Sequence, residues 1–189
     1  MVFVYVTGIM NENDAKWAVS RNASAIGVSL SYKQGALQAE AVRELFLQLP
    51  KGILRAGIFC REPLHHVFEL ATFCGLDILH FVNTPAAEAL SEGQQVFFES
   101  WDETAGDVLI RPLASYRQAL ELPGDAKAML VTGDFSLSEW REILLHRTPY
   151  GIMLDRNQKN CEEVLTWLKN QSLPLTGLRE QGKAQSQKQ

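Results

Sequence analysis

One unit repeats along the chain, and that repetition limits what it can fold into. Val2-Phe3-Val4-Tyr5-Val6 is a run of β-branched and aromatic residues without a charge, and it passes through Thr7-Gly8-Ile9 into the polar Asn11-Glu12-Asn13-Asp14. A strand, a glycine-assisted turn and a helix start therefore occupy the opening segment. The same order returns downstream: a short apolar strand, a small or charged residue at its end, a capping residue, an amphipathic helix. A parallel α/β protein needs that order, because helices must cover the faces of a parallel sheet.

Asn11 or Asn13 can cap a helix through Asn22, with Ala15, Trp17, Ala18 and Val19 on its buried side. Ala25 to Leu30 reads as the second strand, and Ser31 to Leu37 as a polar loop containing Lys33 and Gly35. Ala41, Val42, Leu45, Phe46 and Leu49 recur three and four apart, which predicts a helix over Gln38 to Leu49 ended by Pro50 and Gly52. Ile53 to Phe59 is the third strand, followed by Cys60-Arg61-Glu62, and Pro63 opens a helix that stops at Gly75. Asp77 to Val82 is the fourth strand, and Thr84 caps a short helix through Leu90.

The next region offers two strand-like runs. Val108 to Leu113 is taken as the fifth strand and Gln95 to Phe98 as an irregular or extra element, with Trp101 to Asp107 a turn-rich insert between them. A short helix (Ser115 to Leu122) and the turn Pro123-Gly124-Asp125 lead to a sixth strand, Ala126 to Val131. A helix over Ser136 to Leu145 precedes the seventh strand, Tyr150 to Leu154, and a helix over Asn160 to Lys169 precedes the eighth, Leu173 to Thr176. Pro174 would be unusual in a central ladder position.

Eight strands with intervening helices in 189 residues predict a compact (β/α)8 TIM barrel, a single domain over residues 1–180 with a polar tail over 181–189 expected to be disordered. A doubly wound open sheet is the runner-up. Thr7-Gly8-Ile9 lacks the further glycines of a dinucleotide-binding turn, so no cofactor is expected. The net charge of −4 comes without a basic stripe, which argues against nucleic acid. No segment is long and apolar enough for a membrane span and no basic secretory leader is seen, so a cytoplasmic location is expected. Cys60, Cys74 and Cys161 have neither disulfide nor zinc spacing, and no metal is expected.

Val6-Thr7-Gly8-Ile9 with Asn13-Asp14-Ala15, Ala25-Ile26-Gly27, Gly57-Ile58-Phe59 with Glu62-Pro63-Leu64, and Gly75-Leu76-Asp77 together resemble phosphoribosylanthranilate isomerase, the small barrel enzyme of tryptophan biosynthesis. Fainter similarity continues through Phe135 to Trp140 and Thr176-Gly177-Leu178. The resemblance implies an Amadori rearrangement of an aminoaldose phosphate, which needs an acid at the ring oxygen and a base beside the imine. It also implies a cysteine base ending the first strand and an aspartate acid ending the sixth. Here Thr7 stands at the cysteine's position and Thr132 at the aspartate's, with Asp134 two residues further on.

The resemblance further implies a loop cation after the second strand, for which Lys33 is the candidate, and phosphate-binding amides after strands seven and eight. Thr176, Gly177 and Leu178 are the expected amide site, while Asp155 after the seventh strand would repel a phosphate unless Arg156 neutralised it. Members of the family end in a helix over the eighth strand. Its expected absence would leave an apolar seam for a homodimer or another partner to cover.

Two readings follow: a divergent isomerase on a small phosphorylated sugar with weak or lost activity, or a non-catalytic binding or structural subunit. A third is a relocated active site for another small phosphorylated substrate, built from Cys60, Arg61, Asp134, Asp155 and Arg179 or Glu180. His65 and His66 read as surface helix residues, His80 as an interior strand residue, and Trp101 and Trp140 as packing residues. Arg111 would need a carboxylate or phosphate partner if it pointed inward.

Overall fold

A computed structural model describes residues 2–31, 36–82, 94–99, 107–122, 129–147 and 149–171. The chain runs β1 (Phe3–Thr7), α1 (Glu12–Ser20), β2 (Ala25–Ser29), α2 (Ala39–Leu47), β3 (Leu54–Phe59), α3 (Leu64–Cys74), β4 (Ile78–Val82) and β5 (Gln95–Glu99). It continues through β6 (Val108–Pro112), α4 (Tyr116–Leu120), β7 (Met129–Thr132), α5 (Leu137–Arg147), β8 (Gly151–Asp155) and α6 (Cys161–Asn170). All neighbouring strands are parallel, and β1 pairs with β8 from Phe3↔Gly151 to Thr7↔Asp155, so the sheet closes as an eight-stranded barrel. The predicted (β/α)8 fold is formed, with a partial helical layer among the described residues.

Strand alternation sorts the core into two shells. Phe3, Tyr5, Ala25, Ala56, Ile78, Phe97, Ile110, Leu130 and Met153 fill the barrel interior. Val4, Val6, Ile26, Leu79, Val131 and Ile152, their neighbours in sequence, pack outward with Ala18, Val42, Val67, Trp140 and Val164 of the helices. Trp140, at 1% exposure, meets Phe135 edge-on at 5.1 Å and is a packing residue as expected.

Local chemistry sets the helix ends. The Asn11 side chain accepts the Asp14 N–H at 3.0 Å, and the Asp14 carboxylate accepts the Met10 N–H at 3.2 Å, so α1 begins at the strand end that carries Thr7. Gly75 ends α3 in the left-handed region at φ 63°.

Strand numbering departs from expectation after β4. Gln95–Glu99, expected to be irregular, is β5, held by β4 on one side and β6 on the other. The runs expected as strands five, six and seven are therefore β6, β7 and β8. Five residues between polar segments do not declare a strand by themselves; the two neighbouring ladders decide it. The barrel closes without Leu173 to Thr176, which lies outside the described residues.

Because β8 is Gly151–Asp155, the closing strand does carry a helix, contrary to expectation. The helix is α6, which buries Cys161, Val164 and Leu165 and is tied to the end of α1 by Arg21 and Glu162. The inferred open seam, and the partner it called for, lose their basis. Among the described residues the steps from β4 to β5 and from β5 to β6 contain no helix. The expected helix over 84–90, the turn at 123–125 and the tail at 181–189 lie outside the described residues. No helix among the described residues is long and apolar enough to cross a membrane.

Candidate functional site

The C-terminal ends of the strands ring one mouth, where barrels of this architecture place their loops and chemistry. By alternation and register the inward residues at or just below that rim are Thr7, Ser29, Ile58, Val82, Glu99, Pro112, Thr132 and Asp155.

Thr7 and Asp155 face each other across the β1–β8 seam. The buried Thr7 hydroxyl donates to Asp155 Oδ2 at 3.3 Å, and the Asn157 N–H donates to Asp155 Oδ1 at 2.8 Å. Gly8 makes room for that carboxylate: a Cβ on it would lie 2.7 Å from Oδ1, and its φ of +72° disfavours a side chain. Arg156 does not neutralise Asp155. Its backbone N–H bonds to the Thr7 carbonyl at 2.9 Å, and its guanidinium lies 3.9 Å from the centre of the Trp17 ring with Asp14 3.7 Å away.

A second polar group sits deeper, on β1, β4 and β5. The Tyr5 hydroxyl is 3.1 Å from His80 Nδ1, and His80 Nε2 is 3.4 Å from Glu99 Oε2. Tyr5 and His80 are 0% and 1% exposed, whereas the Glu99 side chain is 23% exposed. Burial, reinforced by the Glu99 charge, pushes the Tyr5 phenol well above its usual range, so it remains a hydrogen-bond donor. The arrangement consistent with these distances has Tyr5 donating to Nδ1 and the Nε2 proton directed toward Glu99, short of a completed hydrogen bond. Gly27 accommodates the Tyr5 ring, because a Cβ there would lie 2.4 Å from the phenolic oxygen.

The remaining expected residues are more scattered. Thr132 is buried at the end of β7, and Asp134 beyond it is exposed. Cys60 and Arg61 follow β3 as expected, with Arg61 at φ 73°. The neighbouring Glu62 is buried, accepting from the Ser31 hydroxyl at 2.6 Å and from the Cys60 N–H, so it joins the ends of β2 and β3. Arg111 alternates with the interior Ile110 and therefore faces away from the lumen. Lys33, Thr176, Gly177, Leu178, Arg179, Glu180 and Trp101 lie outside the described residues. His65 and His66 lie on α3, with His66 3.5 Å from Glu69. Burial raises the Cys74 thiol and pushes the Cys161 thiol up to about 12, so both are packing groups.

The sequence places His80 inside a strand but gives no link to Glu99, because Gln95–Glu99 does not declare itself a barrel strand without its neighbours. The available signal was parity: Ile78 and His80 share a face, as do Gln95, Phe97 and Glu99. Among the described residues no cluster of three or more potential ligands could hold a metal ion.

No family model matches the chain. Over 79 residues it is 32% identical to the N-(5'-phosphoribosyl)anthranilate isomerase of Moorella thermoacetica, a stretch covering 42% of this chain and 35% of that protein. Over 172 residues it is 28% identical to the protein of the same name from Thermotoga neapolitana, covering 87% of this chain and 82% of that one. The crystal structure of phosphoribosyl anthranilate isomerase from Thermus thermophilus superposes with a TM-score of 0.73 at 22% identity, covering 89% of this chain and 96% of that one. The chain is thus similar at low identity to phosphoribosylanthranilate isomerases, and it shares the fold of their crystal structures.

Within the phosphoribosylanthranilate isomerase pattern described above, Thr7 keeps its place at the end of the first strand. The sixth strand, however, ends at Pro112, and Thr132 ends the seventh. The position expected to hold an aspartate is therefore Pro112. Asp155 and Arg156 likewise end the eighth strand, with Thr132-Gly133 after the seventh.

Proposed function

We propose that this barrel retains the framework of phosphoribosylanthranilate isomerase but has given up the Amadori rearrangement of N-(5'-phosphoribosyl)anthranilate, and that its rebuilt mouth serves ligand binding. The carrying observation is the Thr7 hydroxyl, which stands where a base is needed and donates to Asp155 at 3.3 Å. A threonine hydroxyl is not ionised near neutral pH and cannot take a proton as a thiolate would. Pro112 offers no acid on β6. Asp155 sets a carboxylate where the family pattern has a phosphate, and Arg156 is held against Trp17.

The test is a sensitive isomerase assay on the purified chain, together with complementation of a strain lacking the isomerase. Losing both proton-transfer groups should lower turnover by roughly ten-thousand-fold or more, since each contributes about 10²–10⁴. Turnover within about tenfold of the family enzymes, abolished by Thr7→Val, would overturn the reading. Recovery in the Thr7→Cys, Pro112→Asp double variant would confine the loss to acid and base. Continued inactivity would assign part of it to phosphate binding.

One observation supports a relocated site as a second reading. Glu99, partly open to the mouth and backed by His80, is a carboxylate–imidazole pair placed for ligand contact. Asp134 and Cys60 remain candidates for its rim.

A further inference from the structure

The mouth carries negative charge that the described residues leave without a cationic partner. Of the inward residues at the rim, Glu99 and Asp155 are carboxylates and none is a cation. Asp155 is held by a hydroxyl and a backbone N–H, and the nearby guanidinium of Arg156 is taken up by Trp17 and Asp14. Glu99 meets His80 only at 3.4 Å, and His80 Nε2, fully enclosed, completes no hydrogen bond. A buried polar atom left in this way is unfavourable, so the lumen holds a donor directed at Glu99 that a better-placed acceptor would satisfy. A concave, low-dielectric mouth lined by carboxylates concentrates cations and repels phosphate.

We propose that the barrel mouth is a binding site for a small amine, its protonated nitrogen held at Glu99 with Asp155 adding negative charge across the mouth. The Tyr5–His80 pair supports Glu99 from below. Binding draws the Glu99 carboxylate into a fixed position in which it accepts from both the ligand ammonium and His80 Nε2–H. His80 and Tyr5 act here as positioning residues, and Gly27 is the residue that lets Tyr5 reach His80. The proposal rests on the reading that phosphosugar isomerisation has been given up, and it names what the rebuilt mouth accepts instead.

The test uses three probes with one carbon skeleton, glucamine, sorbitol and sorbitol phosphate, titrated into the full chain by calorimetry while the histidine ring resonances are followed by NMR. Glucamine should bind at least about tenfold more tightly than sorbitol, sorbitol phosphate should bind most weakly, and the His80 ring signals should move with glucamine. Glu99→Gln and, separately, Asp155→Asn should each weaken glucamine about tenfold or more, with unchanged melting temperatures showing that the barrel is intact. Tyr5→Phe should weaken glucamine by a smaller factor than either carboxylate variant while shifting the His80 signals of the free protein. Tighter binding of the phosphate, glucamine affinity unaffected by either carboxylate variant, or no binding of any probe would overturn the proposal. Failure here with a silent isomerase assay would leave the loss of the family activity standing, whereas isomerase turnover would contradict that loss whatever glucamine does.

Discussion

The two ends of the barrel are built on different terms. Toward the N-terminal ends of the strands, Phe3 stacks on Tyr150 at 5.3 Å and meets Phe97 edge-on at 6.1 Å, while Gly151 brings β8 close under the Phe3 carbonyl. Arg55 and Asp77 tie β3 to the start of β4 through three hydrogen bonds of 2.8–3.0 Å. Toward the C-terminal ends, the space is given to a hydroxyl–carboxylate contact, a Tyr–His–Glu chain with an incomplete last link, and a glycine at positive φ. Apolar packing and a paired charge serve stability at one end. At the other, buried polar groups back the Glu99 and Asp155 carboxylates, which are partly open at the mouth.

Substitutions at the packed end should report chiefly on stability. Phe97 is 0% exposed and touches both Phe3 and Tyr5, so Phe97→Ala should cost about 3–5 kcal/mol in denaturant unfolding. A loss below about 1 kcal/mol would mean that the lumen collapses freely, and the contrast between the ends would weaken. Asp77→Ala removes a carboxylate that accepts from Arg55, but both side chains are about one-third exposed. Solvent screening limits the expected cost to about 1 kcal/mol, read as a lower melting temperature. A larger cost would show that this pair contributes more than its exposure suggests.

The smallest effect sharpens the comparison from the other side. The Tyr150 hydroxyl is buried without a hydrogen-bond partner, and burial raises its pKa, which keeps it neutral. Tyr150→Phe removes an unmet polar group and should leave stability unchanged or raise it by up to about 1 kcal/mol. A clear loss of stability would show that the hydroxyl has a role the packed end conceals.

Much of the fold was legible in the residues. β1 to β4 and the helices α1 to α3 follow from apolar runs, capping residues and the stops at Pro50, Gly52 and Gly75. Thr7 could be set at the rim from sequence because a strand, a turn and a helix start adjoin it. The second half was harder to read. Gln95–Glu99 is short, and its alternation, like that of Val108–Pro112, fits more than one assignment until neighbouring strands supply hydrogen bonds. With Gln95–Glu99 as β5, every later strand stands one place further on than the local pattern suggests. That shift moves the expected acid position from Thr132 to Pro112 and removes the apparent gap after the last strand.

The sequence by itself determined the alternation of strands and helices, the inward and outward parity of each strand, and the absence of a thiol at position 7. Those are local properties, set by side-chain type and by backbone periods of two and 3.6 residues. Only the tertiary structure decided which strand closes on β1, where Arg156 directs its charge, and that Tyr5, His80 and Glu99 meet. Tyr5 and His80 are separated by 75 residues along the chain, and no local preference encodes their contact. Barrel closure brings them together, and the missing side chain at Gly27 leaves the space in which they touch.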